Sequence, residues 1–345
     1  MVFTEEQGIF RQAVREFAEE RVAPAVQSIL EQDAIPDELM QEAAEIGLFG
    51  VNAPEEFGGA DMGVIDAAIV LDEMAKVAPG FARIIGANLV VNALAATSEE
   101  LAARYIPRIA GGETCAGYGA TVVETDADAS KATWSEADGA YYLEKATAYT
   151  VNANADLLCI SDGCKVAFIE SGTEGVTVAA TKNLGLAGSA YASVKLESVH
   201  VPAECVVDLT EEVAAFGNAF MAAEAAGCAE GLFARTLEFC QMRTHDFKPM
   251  TEMPAIASKL DGLETQVLVS TSVAFDAAAN LDAVKDEEAG ITLDQASRLA
   301  RAARESIANS LVDVNEVAVR LHGGIGYHDP LTWRYLGDIM AYGTM

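Results

Sequence analysis

The chain has 345 residues, with 53 Asp and Glu against 22 Lys and Arg, so its formal net charge is −31. A surface this acidic repels phosphate backbones and anionic lipids, which argues against nucleic acid and membrane surfaces as partners. The longest apolar stretch, 81–96, contains Arg83, Asn88 and Asn92 and is shorter than the roughly 20 apolar residues of a membrane span, so we expect no membrane insertion.

The N-terminal part of the chain, 1–111, is predicted to be an all-α domain. Thr4 and Gln7 have the spacing of a capping box at the start of a helix, and no basic region or apolar run of a signal peptide precedes Thr4. We therefore expect a cytoplasmic protein. Further helices are predicted at Pro36–Ile46, Val64–Lys76 and Ser98–Ala110.

The residue pattern changes in the middle of the chain, 112–208. Short runs rich in Val, Thr, Tyr and Leu alternate there with glycine and asparagine. Such runs predict a β domain of antiparallel strands. From 209 to 345 the helical period returns, with long helices predicted at about Glu211–Arg243, Pro254–Leu281 and Leu293–Leu321. The predicted fold class is α+β: an N-terminal helical domain, a middle antiparallel β domain and a C-terminal helical bundle.

The residue types that bind metals are scattered along the chain. The six cysteines have no paired spacing, and the four histidines do not form a cluster. Free cysteines in apolar surroundings behave as small hydrophobic residues. We expect neither a metal site nor a disulfide framework.

Four segments, spread over nearly the whole chain, resemble motifs of one family in the same order. They are FTEEQGIFRQAVREFAEERVAPA, IGLFGVNAPEEFGGADMG, YIPRIAGGETCAGYGATVVET and RLHGGIGYHDPLTWRYLGDIMAYGTM. The second contains Pro54, Glu55, Glu56, Phe57, Gly58 and Gly59, and the fourth contains Gly323, Gly324, Gly326, Asp338, Gly343 and Thr344. On these residues the chain resembles the acyl-CoA dehydrogenases, whose helical–β–helical fold agrees with the prediction above.

The resemblance implies FAD as cofactor and an acyl-CoA thioester as substrate. In this family a carboxylate removes the α-proton of the thioester while a hydride leaves the β-carbon for the flavin. Here Tyr342 occupies the usual position of that glutamate, and Phe220 occupies the alternative position on a mid-chain helix. A tyrosine has an ordinary pKa near ~10 and is a poor base at neutral pH. Glu224, one turn beyond Phe220, is a weak candidate for a displaced base, as are Glu124 and Asp126.

The same resemblance indicates which residues would contact FAD. On the ring side, Val123 stands where the family has threonine, and Tyr149 and Val151 match an aromatic residue and a threonine. On the phosphate side, where the contacts come largely from a neighbouring subunit, Arg243 and Phe247 match the family, although Lys248 replaces the following glycine. The glycine turn of Gly323, Gly324 and Gly326 would let the backbone approach phosphate.

Two functional interpretations remain open at this point. In the first, the chain is one subunit of a dimeric or tetrameric heteromer whose homologous partner supplies the base, with an electron acceptor such as electron-transfer flavoprotein. In the second, the fold serves a flavin-dependent monooxygenase, or the chain is a non-catalytic pseudoenzyme subunit. The first is favoured because the ring contacts have changed more than the phosphate contacts. The acyl group cannot be deduced from the sequence.

Overall fold

The computed structural model describes residues 3–122 and 134–328, together with residues 334, 335, 337–339, 341 and 342. Helices form the two ends of the chain. They are α1 (Glu5–Phe17), α2 (Val26–Gln32), α3 (Asp37–Glu45), α4 (Val64–Val77), α5 (Pro79–Ala95) and α6 (Glu99–Ala110), then α7 (Glu211–Met242), α8 (Pro254–Ala283), α9 (Leu293–His322) and the short α10 (Gly324–His328). Within this part of the chain, no helix is both long enough and apolar enough to cross a membrane.

Strands occupy the middle of the chain and form one large sheet. They are β1 (Ala116–Val122), β2 (Ser135–Ala137), β3 (Ala140–Val151), β4 (Leu157–Ser161), β5 (Lys165–Glu170), β6 (Val176–Ala180), β7 (Ala192–Pro202) and β8 (Val206–Asp208), and a separate hairpin of β9 (Thr244–His245) and β10 (Lys248–Pro249) follows α7. The predicted order of helices, β domain and helices is confirmed. The predicted boundaries at 112 and 209 fall in the connections before β1 and before α7 and stay predictions.

The sheet is mixed, which corrects the prediction of a wholly antiparallel β domain. Its order is β6-β7-β3-β1-β4-β5-β8, with β2 paired to β3. Strand β1 pairs antiparallel with β3 but parallel with β4. The parallel pair arises because the chain, on leaving β3, crosses the end of β1 and returns along its other side. Strand patterns along the sequence do not report which strands become neighbours, so this crossover was not predictable from them.

The apolar stretch 81–96 lies mainly within α5, a helix that is buried on nearly all sides. Helix α5 packs against α4, α6, α7 and β1 and therefore lies where the three parts of the chain meet. Its polar residues have partners there: the Asn88 side chain accepts a hydrogen bond from the backbone N–H of Ala116 in β1, at 2.8 Å. This helix anchors the β domain to the helical core.

A network of charged residues joins α1 and α4 to α7. Glu73 of α4 accepts from Arg11 at 2.5 Å and from Arg15 at 2.9 Å, and Lys76 bonds both Glu73 at 2.9 Å and Glu230 of α7 at 2.7 Å. Despite the opposing effect of burial, the hydrogen bond from Arg15 and the charge of Lys76 lower the pKa of Glu73 to about 2. The network satisfies the buried Glu73 carboxylate.

A second connection between the domains is the loop 184–188, which follows β6. The backbone N–H of Leu186 donates to Asp338 Oδ1 at 2.5 Å, and the N–H of Gly188 donates to Asp33 Oδ1 at 2.8 Å. A β-carbon at Gly185 would lie 2.1 Å from the carbonyl carbon of Gly337, so only glycine permits this approach. We call the loop 184–188 with its contacts to Asp33, Gly337 and Asp338 the clasp.

The buried carboxyl of the clasp makes stability depend on pH. Burial raises the pKa of Asp338 from 3.8 to about 6, while Arg334 and the Leu186 N–H act in the opposite direction. Because the pKa is higher in the folded state, the stabilising effect is complete below pH ~4 and is lost as the pH rises through about 6. We expect the free energy of unfolding of the wild type, relative to Asp338→Asn, to fall between pH 4.5 and 7.5. Urea denaturation of both proteins tests this, and parallel pH profiles would contradict it.

Candidate functional site

The position expected for the catalytic glutamate is buried and closed to solvent. Tyr342 is 1% exposed, and its hydroxyl has no hydrogen-bond partner in the part of the chain that the structure describes. Burial raises the pKa of Tyr342 well above its ordinary value, and the nearby Glu224, Cys228 and Asp338 raise it further. A phenol in this environment does not ionise at neutral pH. Tyr342 is therefore poorly suited to act as the base.

Glu224, the candidate for a displaced base, is held in a buried ion pair. Its two carboxylate oxygens accept from Arg83 Nη1 at 2.8 and 2.9 Å, and the carboxylate is fully buried on α7. Burial raises the pKa of Glu224, while the charge of Arg83 acts against that rise. A carboxylate bound by a guanidinium is poorly placed to accept a proton from carbon. The structure thus gives Glu224 a different task.

Arg83 is a residue of this site that none of the sequence motifs indicated. It lies on α5, is 4% exposed, and its charge also acts on Tyr118 of β1. The signal was present in the sequence, since Arg83 is the one charged residue of a largely apolar helix and a buried charge needs a partner of opposite sign. The partner itself is 141 residues away and could not be deduced from local pattern.

Phe220, at the alternative position of the base, is fully buried and stacks on Phe216 with ring centroids 6.4 Å apart. Both rings line a cavity of about 430 Å³ between the start of α7 and the ends of α5 and α8. The carboxylate of Asp282 at this cavity is already bound by the backbone N–H groups of Val64 and Ile65, at 2.7 and 2.9 Å. No general base is therefore provided by Phe220 or by Asp282.

On the ring side, the described residues expected beside the flavin differ in their exposure to solvent. Tyr149 is 43% exposed and stacks on Tyr191, with ring centroids 6.1 Å apart. Val151, on the same strand, is buried, and so is Thr150, whose hydroxyl has no partner among the described residues. Val123, Glu124 and Asp126 lie outside the described residues. Of the ring contacts expected from the sequence, the described part of the chain exposes Tyr149 to solvent and buries Val151.

On the phosphate side, the expected residues lie together at the end of the helical bundle. Arg243 is the C-cap of α7 and is exposed, and Phe247 stands in the turn between β9 and β10 with its ring fully exposed. The rings of Phe239 on α7 and His322 on α9 are 4.5 Å apart, which brings the glycine turn that follows α9 to the same end. Arg243, four residues after Phe239, and Gly323, which follows His322, are both exposed at this end of the bundle.

The phosphate-side residues fit part of an FAD molecule. Gly323 has a φ of 59° and a ψ of −137°, and a β-carbon there would meet nothing within 4 Å, so the backbone is open to a ligand. An exposed arginine beside such a turn can neutralise a phosphate. Gly324 is also open, whereas Gly326 is packed against the carbonyl of Val319.

The phosphate-side residues and the position of the base lie far apart along α7. At ~1.5 Å per residue, α7 extends ~27 Å from Glu224 to its end at Met242. Arg243 and the glycine turn lie at that end, whereas the closed position of the base lies beside Glu224. The exposed end of α7 and the closed position of the base are therefore separate places in this chain.

Comparison with known proteins agrees with this fold. Residues 4–113 match the family model of the acyl-CoA dehydrogenase N-terminal domain, and residues 208–342 match that of the C-terminal domain. A Bacillus subtilis acyl-CoA dehydrogenase is 25% identical over 353 residues, which cover 95% of this chain and 90% of the relative.

Two solved structures illustrate the similarity. Butyryl-CoA dehydrogenase from Megasphaera elsdenii has a TM-score of 0.85 at 22% identity, covering 99% of this chain and 94% of that one. A glutaryl-CoA dehydrogenase from Mycobacterium smegmatis in complex with FADH2 has a TM-score of 0.84 at 19% identity, covering 99% and 90%. With both family domains matched, the chain belongs to the acyl-CoA dehydrogenase family of flavin oxidoreductases, whose cofactor is FAD.

Proposed function

We propose that this chain is the supporting subunit of a heteromeric acyl-CoA dehydrogenase, in which a homologous partner supplies the catalytic base. The complex would carry out FAD-dependent α,β-dehydrogenation of an acyl-CoA thioester and pass electrons to an acceptor such as electron-transfer flavoprotein. The observation that supports this proposal is the contrast between a buried Tyr342 at the position of the base and an exposed Arg243 at the same end of the bundle as an open Gly323.

The chemistry can be divided between the two subunits on physical grounds. Bound FAD supplies a hydride acceptor for the β-carbon, and a partner carboxylate would take the α-proton. This chain's Arg243 would neutralise phosphate charge, and the Gly323 turn would offer backbone N–H groups to phosphate oxygens. Its helical core would hold these groups in position. The cytoplasmic location stays a prediction of the sequence.

The first test is the visible flavin spectrum and native mass of the chain purified alone and after co-expression with an acyl-CoA dehydrogenase homologue encoded near it. We expect little flavin in the chain alone and bound flavin in a mixed complex. Flavin near one per chain in the protein purified alone would contradict the division of labour. Reductase-dependent oxygen consumption would instead favour a monooxygenase, and no spectral change with any acyl-CoA in any combination would favour a pseudoenzyme.

The exposed Phe247 offers a second prediction. A fully exposed aromatic ring at a hairpin turn adds little to the folded monomer, so Phe247→Ser should change the free energy of unfolding by less than ~0.5 kcal/mol. If the hairpin contacts the partner, the same substitution should lower the fraction of mixed complex in native mass spectra. Val178→Ser, at a half-exposed residue of β6, is the control. Loss of complex in both variants, or in neither, would argue against the hairpin as a contact.

A further inference from the structure

The space beside the position of the base is filled by side chains from three elements. Arg83 extends from α5, Glu224 from α7 and Tyr342 from the C-terminal segment, and their exposed fractions are 4%, 0% and 1%. Arg83 Nη1 lies 2.8 and 2.9 Å from the two oxygens of the Glu224 carboxylate, and the charges of this ion pair act on the buried Tyr342. We infer that Arg83, Glu224 and Tyr342 form a plug that closes this chain's own thioester site. The inference rests on the proposed function, because it assumes that this site corresponds to the family's thioester site.

Gly86, one turn along α5 from Arg83, makes room for the plug. A β-carbon at Gly86 would lie 2.3 Å from Glu224 Oε1, which is closer than any real contact, and 3.4 Å from a methyl of Leu71. The carboxylate therefore occupies a notch that exists because residue 86 has no side chain. Any larger residue at position 86 would have to displace the carboxylate, and with it the ion pair to Arg83.

The plug is separate from the nearby cavity. The cavity of about 430 Å³ is lined by Phe216 and Phe220 but not by Arg83, Glu224 or Tyr342. A thioester would have to displace a buried ion pair to reach the position of Tyr342, and leaving either charge unpaired is costly. An acyl chain offers no hydrogen bond in exchange. The plug thus excludes the substrate in two ways. Its side chains occupy the space, and displacing them would leave a buried charge unpaired.

Acyl-thioester binding by the chain alone tests the plug. Octanoyl-CoA and CoA would be titrated calorimetrically into the wild type, into Arg83→Ala/Glu224→Ala and into Phe275→Ala, which creates a cavity elsewhere in the core. We expect the wild type and Phe275→Ala to bind both ligands equally or not at all, and the double variant to prefer octanoyl-CoA at least tenfold. A wild type that already prefers octanoyl-CoA, or a double variant without the preference, would overturn the inference.

A second measurement keeps the test decisive if the double variant does not fold. Gly86→Ala should lower the melting temperature of the wild type by several degrees, because its methyl meets the Glu224 carboxylate. In a Glu224→Ala background the same substitution should have no such effect. An equal loss in both backgrounds would refute the notch. These experiments need no partner subunit or flavin, so they can fail while the proposed function stands, and the flavin measurement on the mixed complex can fail while they succeed.

Discussion

Replacing Glu224 with glutamine is expected to lower the free energy of unfolding by about 3–5 kcal/mol, the usual cost of leaving a buried charge without its partner. Glutamine has nearly the same shape, so little of this loss would come from packing. The loss would come from Arg83, which is 4% exposed and donates through Nη1 to both oxygens of the Glu224 carboxylate. Urea denaturation at neutral pH, followed by circular dichroism, measures it.

The matched control replaces both charges together. In Arg83→Met/Glu224→Leu no buried charge is left unpaired, and apolar replacements of a buried ion pair are often neutral or stabilising. We expect this double variant to unfold within about 1 kcal/mol of the wild type. If Glu224→Gln lowers the free energy of unfolding by less than ~1 kcal/mol, the ion pair is exposed to water in solution, and the plug does not close the site.

The second large effect is expected in the mixed complex. Arg243→Gln in this chain should weaken FAD binding by ~10–100-fold, since a hydrogen bond to a charged group contributes ~1.5–3 kcal/mol. Arg243 is exposed at the end of α7 and is not part of the core, so its loss should leave the fold intact. The measurement is the dissociation constant of FAD from the reconstituted complex, followed by flavin fluorescence.

The control is Arg235→Gln on the preceding turns of α7, which removes the same charge away from the glycine turn. Its FAD affinity should stay within about threefold of the wild type, because the half-buried Arg235 lies ~12 Å along the helix from Arg243, farther than the ~8–10 Å over which charges act in physiological salt. Equal weakening by the two substitutions would mean that net charge, and not a contact from Arg243, determines the affinity. If Arg243→Gln does not weaken FAD binding, then Arg243 of this chain does not contact the cofactor.

Local patterns in the sequence were sufficient for most of the elements. The Thr4 capping box is present, and the predicted helix Glu211–Arg243 is observed as α7 with Thr210 accepting from the N–H of Val213. These features depend on residues a few positions apart, which is the range over which helix signals act. The parallel pairing of β1 with β4 depends on how strands meet in space, and it could not be deduced.

The candidate site depended even more on contacts between residues that are distant in the sequence. The sequence shows a tyrosine at the position where a glutamate was expected. It does not show whether that tyrosine faces a pocket. The answer depends on Glu224 reaching Arg83 across 141 residues and on the notch at Gly86. Three side chains from distant segments had to be assembled before Glu224 could be recognised as the partner of Arg83 instead of a base.

The clasp has a consequence for how the chain folds. The bond from Leu186 to Asp338 joins positions 152 residues apart, so it forms only after residue 338 has been synthesised. Until then the β domain is anchored to the helices mainly through α5, and its loop 184–188 lacks the contacts to Gly337 and Asp338. Contacts of such long sequence separation form slowly. The relative placement of the β domain and the helical core is therefore fixed late, by the same C-terminal segment that carries Tyr342.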